Sequence, residues 1–226
     1  PILYMSDNGV FKSFSTSPSS NFASDFLESN SVIAKLAFLL LVVFVFVLLL
    51  RIGTSILAYF LMPTESPKLI NGMVDASQMI VFEQGNENNS ATTIYRSVNA
   101  DKGIEFTWSV WLFINSFDDK GTYKHVFSKG NSDLQDNGMV FPNNAPGLYI
   151  TPNKNNMVVT MNTFNVINEE ILIPDIPINK WFNIIIRCRN TTLDVYVNGT
   201  IARSIQLIGV PKQNYGNVYV AMNGGF

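Results

Sequence analysis

The sequence predicts an all-β domain, a two-sheet antiparallel sandwich, preceded by one N-terminal transmembrane α-helix. Three observations predict it. Positions 36–50 are fifteen consecutive apolar residues. From Met79 the hydrophobic period changes to two and stays there. Asn198-Gly199 stands between two alternating runs, and both residues tolerate positive φ, so a type I′ turn can close a hairpin with the right twist.

Composition bounds the reading. A chain of 226 residues allows one substantial domain plus extras. Charged residues make up 14 %, below the soluble average of about 25 %, a deficit that needs a cause. A net charge of −2 lacks the basic face of a nucleic-acid binder, so no nucleic-acid partner is expected. The single cysteine, Cys188, excludes an intrachain disulfide. It falls on the inward face of its strand, which predicts a buried thiol rather than a nucleophile.

Residues 1–31 form a polar N-terminal arm rich in Ser and Asn, with scattered aromatics at Tyr4, Phe11, Phe14, Phe22 and Phe26. Without a period it reads as extended or partly disordered, its aromatics free to dock on a neighbour. The start at Pro1 is read as removal of an initiator Met.

Residues 32–62 explain the charge deficit. The apolar run lies between Lys35 and Arg51, and fifteen helical residues cover only about 22 Å, short of the roughly 30 Å hydrocarbon core. A helix extended over 32–62 reaches about 46 Å. Arg51 costs at most about 3 kcal/mol, less when it snorkels, and fifteen apolar residues at a few tenths of a kcal/mol each outweigh it. Leu36, Phe44, Leu50, Arg51 and Phe60 are the expected anchor residues. A cleaved signal peptide is disfavoured because the run begins only after 35 residues, and a soluble surface helix because no polar face is present. Pro63 ends the helix, and residues 63–78, with Pro67 and Gly72, serve as a tether. Lys12 and Lys35 precede the run while Lys68 follows it, which places the arm on the cytoplasmic side or its equivalent.

Strands are expected at 79–82, 93–97, 104–115, 123–128, 147–151, 157–163 and 170–173, then three in succession within 181–207, and one at 218–222. In the longest, Ile104, Phe106, Trp108, Val110, Leu112 and Ile114 share one face. Within 181–207, Phe182, Ile184, Ile186 and Cys188 oppose Asn183, Arg187 and Arg189. Turn-rich pieces at 84–91, 118–121, 131–145 and 211–216 separate the strands, and no helix of useful length is expected after Pro63. Many short strands with polar turns predict a sandwich over 79–226.

The stretch from Trp181, with L-D-V-Y-V-N-G at 193–199 and a return strand, resembles the concanavalin A-like lectin/glucanase superfamily, within it the laminin-G-like and pentraxin-like domains. F-T-W-S-V-W at 106–111 resembles the early F-T-x-S-x-W strand of such domains. The resemblance covers about residues 79–226 and implies a jelly-roll sandwich. It implies no single function, because that fold hosts lectins, glycosidases and structural modules. Such domains finish with a further strand after a Gly-rich turn. Here the chain reads Gly224-Gly225-Phe226, so the last strand is expected to be missing: either the polypeptide continues, or another segment fills the open edge beside the strand at 218–222, which would otherwise invite pairing.

Catalytic signals are weak. A glycosidase needs two carboxylates held about 5 Å or about 6.5–9.5 Å apart, and the E-x-D-x-x-E strand of the related glucanases does not occur. Glu169 and Glu170 are adjacent and point to opposite faces of a strand. His125, the one histidine, has no G-x-S-x-G nearby. No enzyme activity is expected. No cofactor is expected either, apart from calcium, for which Asp118, Asp119, Asp133 and Asp136 are the candidate ligands. Asx-rich loops are equally ordinary turn chemistry. Zinc would need more than one Cys and one His. Sequons at Asn88, Asn190 and Asn198 carry little information in so Asn-rich a chain.

The expectation is a single-pass membrane protein whose partners are the lipid bilayer and neighbouring structural proteins. The Asn-rich, Lys/Arg-poor composition resembles membrane-associated proteins of large DNA viruses. That resemblance implies a minor capsid protein in the internal membrane and capsid layer of a virion. The alternative is a membrane-anchored lectin holding glycans at one end of the sandwich, with Trp111, Tyr123 and Tyr149 as candidate stacking residues.

Overall fold

The computed structural model describes residues 31–62, 64–84, 92–100, 103–117 and 121–224. It forms two units, divided between Met62 and Pro63. Residues 1–30 of the arm, the sequon at Asn88 and the calcium candidates Asp118 and Asp119 lie outside the described residues.

The first unit is a helix, α1 (Val32–Leu61, 30 residues), about 45 Å long. None of its residues is buried, and its apolar side chains point out all round. Thr54 and Ser55 turn their hydroxyls back onto the Arg51 carbonyl, at 3.0 and 2.8 Å, so both polar groups are satisfied within the helix. Met62 is already extended, as the residue before a proline must be.

The second unit carries eleven strands: β1 (Ile80–Phe82), β2 (Val98–Ala100), β3 (Gly103–Phe113), β4 (Lys124–Gly130), β5 (Asn144–Ile150), β6 (Met157–Met161), β7 (Glu169–Ile173), β8 (Trp181–Asn190), β9 (Thr192–Val197), β10 (Thr200–Gln206) and β11 (Asn217–Val220). They form two antiparallel sheets, ordered β1-β11-β4-β5-β6-β7 and β10-β9-β8-β3-β2. The predicted two-sheet jelly-roll sandwich is the observed fold, and the one helical piece after Pro63 among the described residues is a three-residue 3-10 turn at Met222–Gly224.

The core lies between the sheets. Ile104 and Leu112 of β3, Phe182, Ile184, Ile186 and Cys188 of β8, and Leu193 and Val195 of β9 pack against Leu148, Ile150, Met157, Val159, Met161, Ile171 and Ile173. Trp108 stacks on Phe127 at 5.6 Å between ring centroids. At the hairpin, Asn198 and Gly199 have φ of 51° and 79° and Thr200 pairs with Val197, as a two-residue type I′ turn requires.

Two strand expectations need correction. The strand expected at 93–97 is displaced to β2. The backbone at 92–94 bonds the Gln84 side chain instead of a ladder: Ile94 N donates to Oε1 at 3.1 Å, and Nε2 donates to the Thr92 carbonyl at 3.0 Å. The turn expected through Ala145 ends earlier, because β5 already begins at Asn144. Its pairing with β4 shifts register between Ser128 and Gly130, and that irregularity admits Pro146, which has no N–H to give. At the edge beside β11 another segment fills the ladder, one of the two outcomes expected there. β1 pairs there, Ile80 with Val220 and Phe82 with Val218, while β4 flanks the other side.

The strand directions define two ends. β1 starts, β3 finishes, β8 starts and the Asn198-Gly199 turn closes at one end, where Asn179 N bonds the Ile114 carbonyl at 2.8 Å and Ile176 N the Asn155 carbonyl at 3.2 Å. Residues 64–79 lead into β1 here, so this is the tether end. Gly130, Asn144, Glu169 and the loops at 162–168 and 207–216 lie at the opposite, far end, joined by Phe164 N to Val210 O at 3.0 Å.

Candidate functional site: an uncovered aromatic face

Alternation along β3 and β8 sends every second residue outward, and register then sorts those residues into rows. Toward the far end Glu105 faces Arg189, which faces Thr192, and Thr107 faces Arg187, which faces Asp194. This half is polar: Glu105 and Arg189 approach to 3.8 Å, and Ser204 Oγ donates to Asp194 Oδ1 at 2.6 Å. Toward the tether end the rows are Ser109–Ile185–Tyr196–Ile201, Trp111–Asn183 and Phe113–Trp181. No charged residue stands in these three rows. Trp111 is 64 % exposed, Trp181 50 % and Phe113 43 %, and the Phe113 and Trp181 rings lie 5.6 Å apart. The result is an aromatic shelf on a fully paired part of the sheet.

Polar groups beneath the shelf are already used. Asn183 is buried, and its Nδ2 donates to Ser109 Oγ at 3.1 Å and to the Val110 carbonyl at 3.0 Å. Its backbone N–H donates to Asn198 Oδ1 at 2.9 Å, so the Asn198 side chain braces the turn as well as forming it. Beside Trp111 the Asn183 Nδ2 donors are thus turned inward and not toward the ring face.

The other outer face has the opposite character. Segment 131–143 folds back over β4, β5 and β6, reaching the tether end where Tyr123 N donates to the Asn137 carbonyl at 2.8 Å. Tyr149, a candidate stacking residue on the sequence, is fully buried beneath this segment with Met139 and Val158. Its Oη accepts hydrogen bonds from Val140 N at 3.2 Å and Asn144 Nδ2 at 2.7 Å, and burial holds its ionisation well above the usual tyrosine range. Tyr149 therefore cannot stack on a ligand at the surface. Tyr123 is half-buried at the rim of this cover. Burial first, then the Glu170 carboxylate, raises its pKa. Of the three candidates, Trp111 alone stands on an open face, and the structure does not bring the three together.

His125 sits in the same buried layer, 2.8 Å from Ser128 Oγ through Nε2, in edge contact with the Tyr149 ring. The bulge between His125 and Phe127 places Ser128 beside the ring, a closeness that sequence spacing did not reveal. The pair is not a nucleophile and its base. Met222 N donates to Nδ1 at 3.2 Å, so the proton sits on Nε2 and points at the serine rather than waiting to accept from it. Burial pushes the His125 pKa down to about 4, keeping the ring neutral. Cys188 is likewise inert: buried, with its pKa pushed up to about 12 by burial and then by Asp194 and Glu105.

The acidic candidates are dispersed. Asp133 and Asp136 are exposed in segment 131–143, with Asp133 Oδ2 held by Asn131 Nδ2 at 3.3 Å. Glu169 is buried and accepts from Ile208 N at 2.8 Å, whereas Glu170 points outward. No group of three or more metal-ligating side chains occurs among the described residues.

Sequence reasoning missed a second exposed apolar surface. At the far end Phe164 and Ile208 are 71 % and 73 % exposed, with Ile167 and Val210 beside them and Lys212 Nζ over the Phe164 ring at 5.4 Å. These residues sit on loops, where no period marks them. Phe113 and Trp181 were also missed, although once β3 and β8 are paired their register gives them away.

No family model and no curated protein matches this chain. Solved structures similar to it are sandwich domains of the laminin-G and lectin-like kind. One is the receptor-binding domain of botulinum neurotoxin type G, with 16 % identity, covering 64 % of this chain and 36 % of that chain, at a TM-score of 0.39. Another is domains LG4-5 of the mouse laminin alpha1 chain, with 10 % identity over 64 % of this chain and 34 % of that chain, at 0.36. A polysaccharide lyase of family 18 is similar over 50 % of this chain and 49 % of that chain, with 10 % identity and a TM-score of 0.33. This chain spans about a third to a half of their lengths.

Proposed function

We propose that this chain is a membrane-anchored, non-enzymatic binding module: α1 crosses a bilayer once and the sandwich holds a neighbouring protein. The observation that carries the reading is α1 itself, 30 residues, apolar all round with none buried, on the same chain as a sandwich whose buried His125 and Cys188 are committed to structure. A lone span near an N-terminus is also what a signal sequence looks like, and the two make different products. An anchor remains on the mature chain and resists carbonate extraction. Cleavage within 32–62, or release by carbonate, overturns the anchor.

For the partner, the far-end loops are the supporting feature. Phe164, Ile167, Ile208 and Val210 are apolar, exposed and projected from the end opposite the tether, as a protein contact needs. A photo-crosslinker at Ile208 in the membrane-held chain should capture one protein at saturable stoichiometry, and F164S should abolish capture. Diffuse or absent capture overturns the contact. The finer reading, a minor capsid protein in the internal membrane layer of a virion, rests on the Asn-rich composition. Purified particles should then contain the chain at fixed stoichiometry, cross-linked to a shell protein.

A glycan is the second reading, favoured by the exposed Trp111 ring. The internal use of the Asn183 amide weakens it, because sugar hydroxyls need planar polar partners beside the stacking ring. Sugar-specific binding of the full chain on a glycan array, lost in W111A, would replace the protein-contact reading.

A further inference from the structure

We infer that the shelf formed by Trp111, Phe113 and Trp181 seats in the headgroup region of the same bilayer that holds α1. The inference rests on the anchor reading above and adds a second, peripheral contact to it.

Three observations carry it. The first is place: β1 begins at the tether end, and the shelf occupies the rows of the five-stranded sheet nearest that end. Residues 63–79 can extend to at most about 60 Å, so the sandwich as a whole stays at high effective concentration next to the membrane, and this end reaches it with the least extension of the tether. The second is chemistry. Tryptophan carries a large apolar ring and one N–H, the combination that settles at the boundary of headgroup and acyl chain, and Phe113, Tyr196 and Ile201 extend the apolar area around it. The third is segregation. Charge on this face is confined to the far half, at Glu105, Arg187, Arg189 and Asp194, so the aromatic half can enter the interface without stripping water from an ion. At the rim Lys180 and Asp175 are both exposed, so the seat depends on apolar burial and not on anionic lipid.

The test uses the chain's own fluorescence. All three tryptophans, Trp108, Trp111 and Trp181, belong to the sandwich and none to α1. The full chain is reconstituted at one copy per lipid nanodisc, in phosphatidylcholine brominated either just below the headgroup or deep in the acyl chain. Shallow bromine should quench tryptophan emission at least twofold, deep bromine much less, with no dependence on added anionic lipid. W111F/W181F, which keeps the shelf apolar, should leave only Trp108 emission, and that should be unquenched because Trp108 stacks on Phe127 between the sheets. A chain that resists carbonate but shows no shallow quenching overturns the seat and leaves the anchor standing. Quenching in crowded vesicles that disappears at one copy per disc reassigns the shelf to a second copy and overturns the seat too. Release by carbonate overturns the anchor and this inference together.

Discussion

The two outer faces of the sandwich are built by the same alternation and end in opposite states. On the six-stranded sheet, Tyr149 points outward from β5 and is then sealed under segment 131–143, with His125, Ser128 and Asn144 bonded around it. On the five-stranded sheet, Trp111 points outward from β3 and stays open. One face thus became a second, partly polar core while the other kept an aromatic surface free for contact. An outward aromatic is functional or structural according to what covers it, and strand periodicity carries no information about cover.

Four substitutions or conditions should separate these faces, measured by urea denaturation of the full chain in detergent. The largest effect is expected beneath the cover. Tyr149→Phe keeps the ring but leaves the buried Val140 N–H without its acceptor and weakens the hold on Asn144, costing about 2–3 kcal/mol. A midpoint unchanged from wild type would mean that the segment does not lean on that hydroxyl.

The same layer should make stability pH-dependent. His125 is held near pKa 4 in the fold against 6.5 when unfolded, so between those values the unfolded chain binds the extra proton. Its contribution is intact above pH 6.5 and is lost as pH falls toward 4. From pH 7 to 5 that amounts to about 2 kcal/mol. His125→Gln should flatten the slope in this window, and an equally steep profile in the variant would assign it to other groups.

Under the open face, Gly199→Val should cost more than about 1 kcal/mol. Nothing stands within 4 Å of a Cβ built there, so the cost comes from the +79° φ alone, which a β-branched residue tolerates poorly. Gly199→Asn, which accepts that φ, should recover most of the loss. The smallest effect is expected at the shelf: Trp111→Ser should shift stability by no more than about 0.5 kcal/mol, since little is buried there to lose. A larger loss would show that the shelf is part of the fold rather than a surface for contact.

Read by itself, the sequence determined that the N-terminal part holds one long apolar helix, because fifteen consecutive apolar residues at 36–50 leave no polar face for a surface strand or loop. It determined which residues of β3, β8 and β9 face inward and the positive-φ turn at Asn198-Gly199, because both follow from neighbours one or two positions apart. Tertiary structure alone decided the rest. Gly138, at φ +90°, lets segment 131–143 press so close that a Cβ there would stand 2.1 Å from the Tyr123 carbonyl oxygen. The Gln84 side chain takes the Ile94 N–H that a strand at 93–97 would have given to a ladder, and β1 closes the ladder beside β11. Cover, borrowed hydrogen bonds and edge pairing all join residues distant along the chain, and a local period of two is the same whether or not they form.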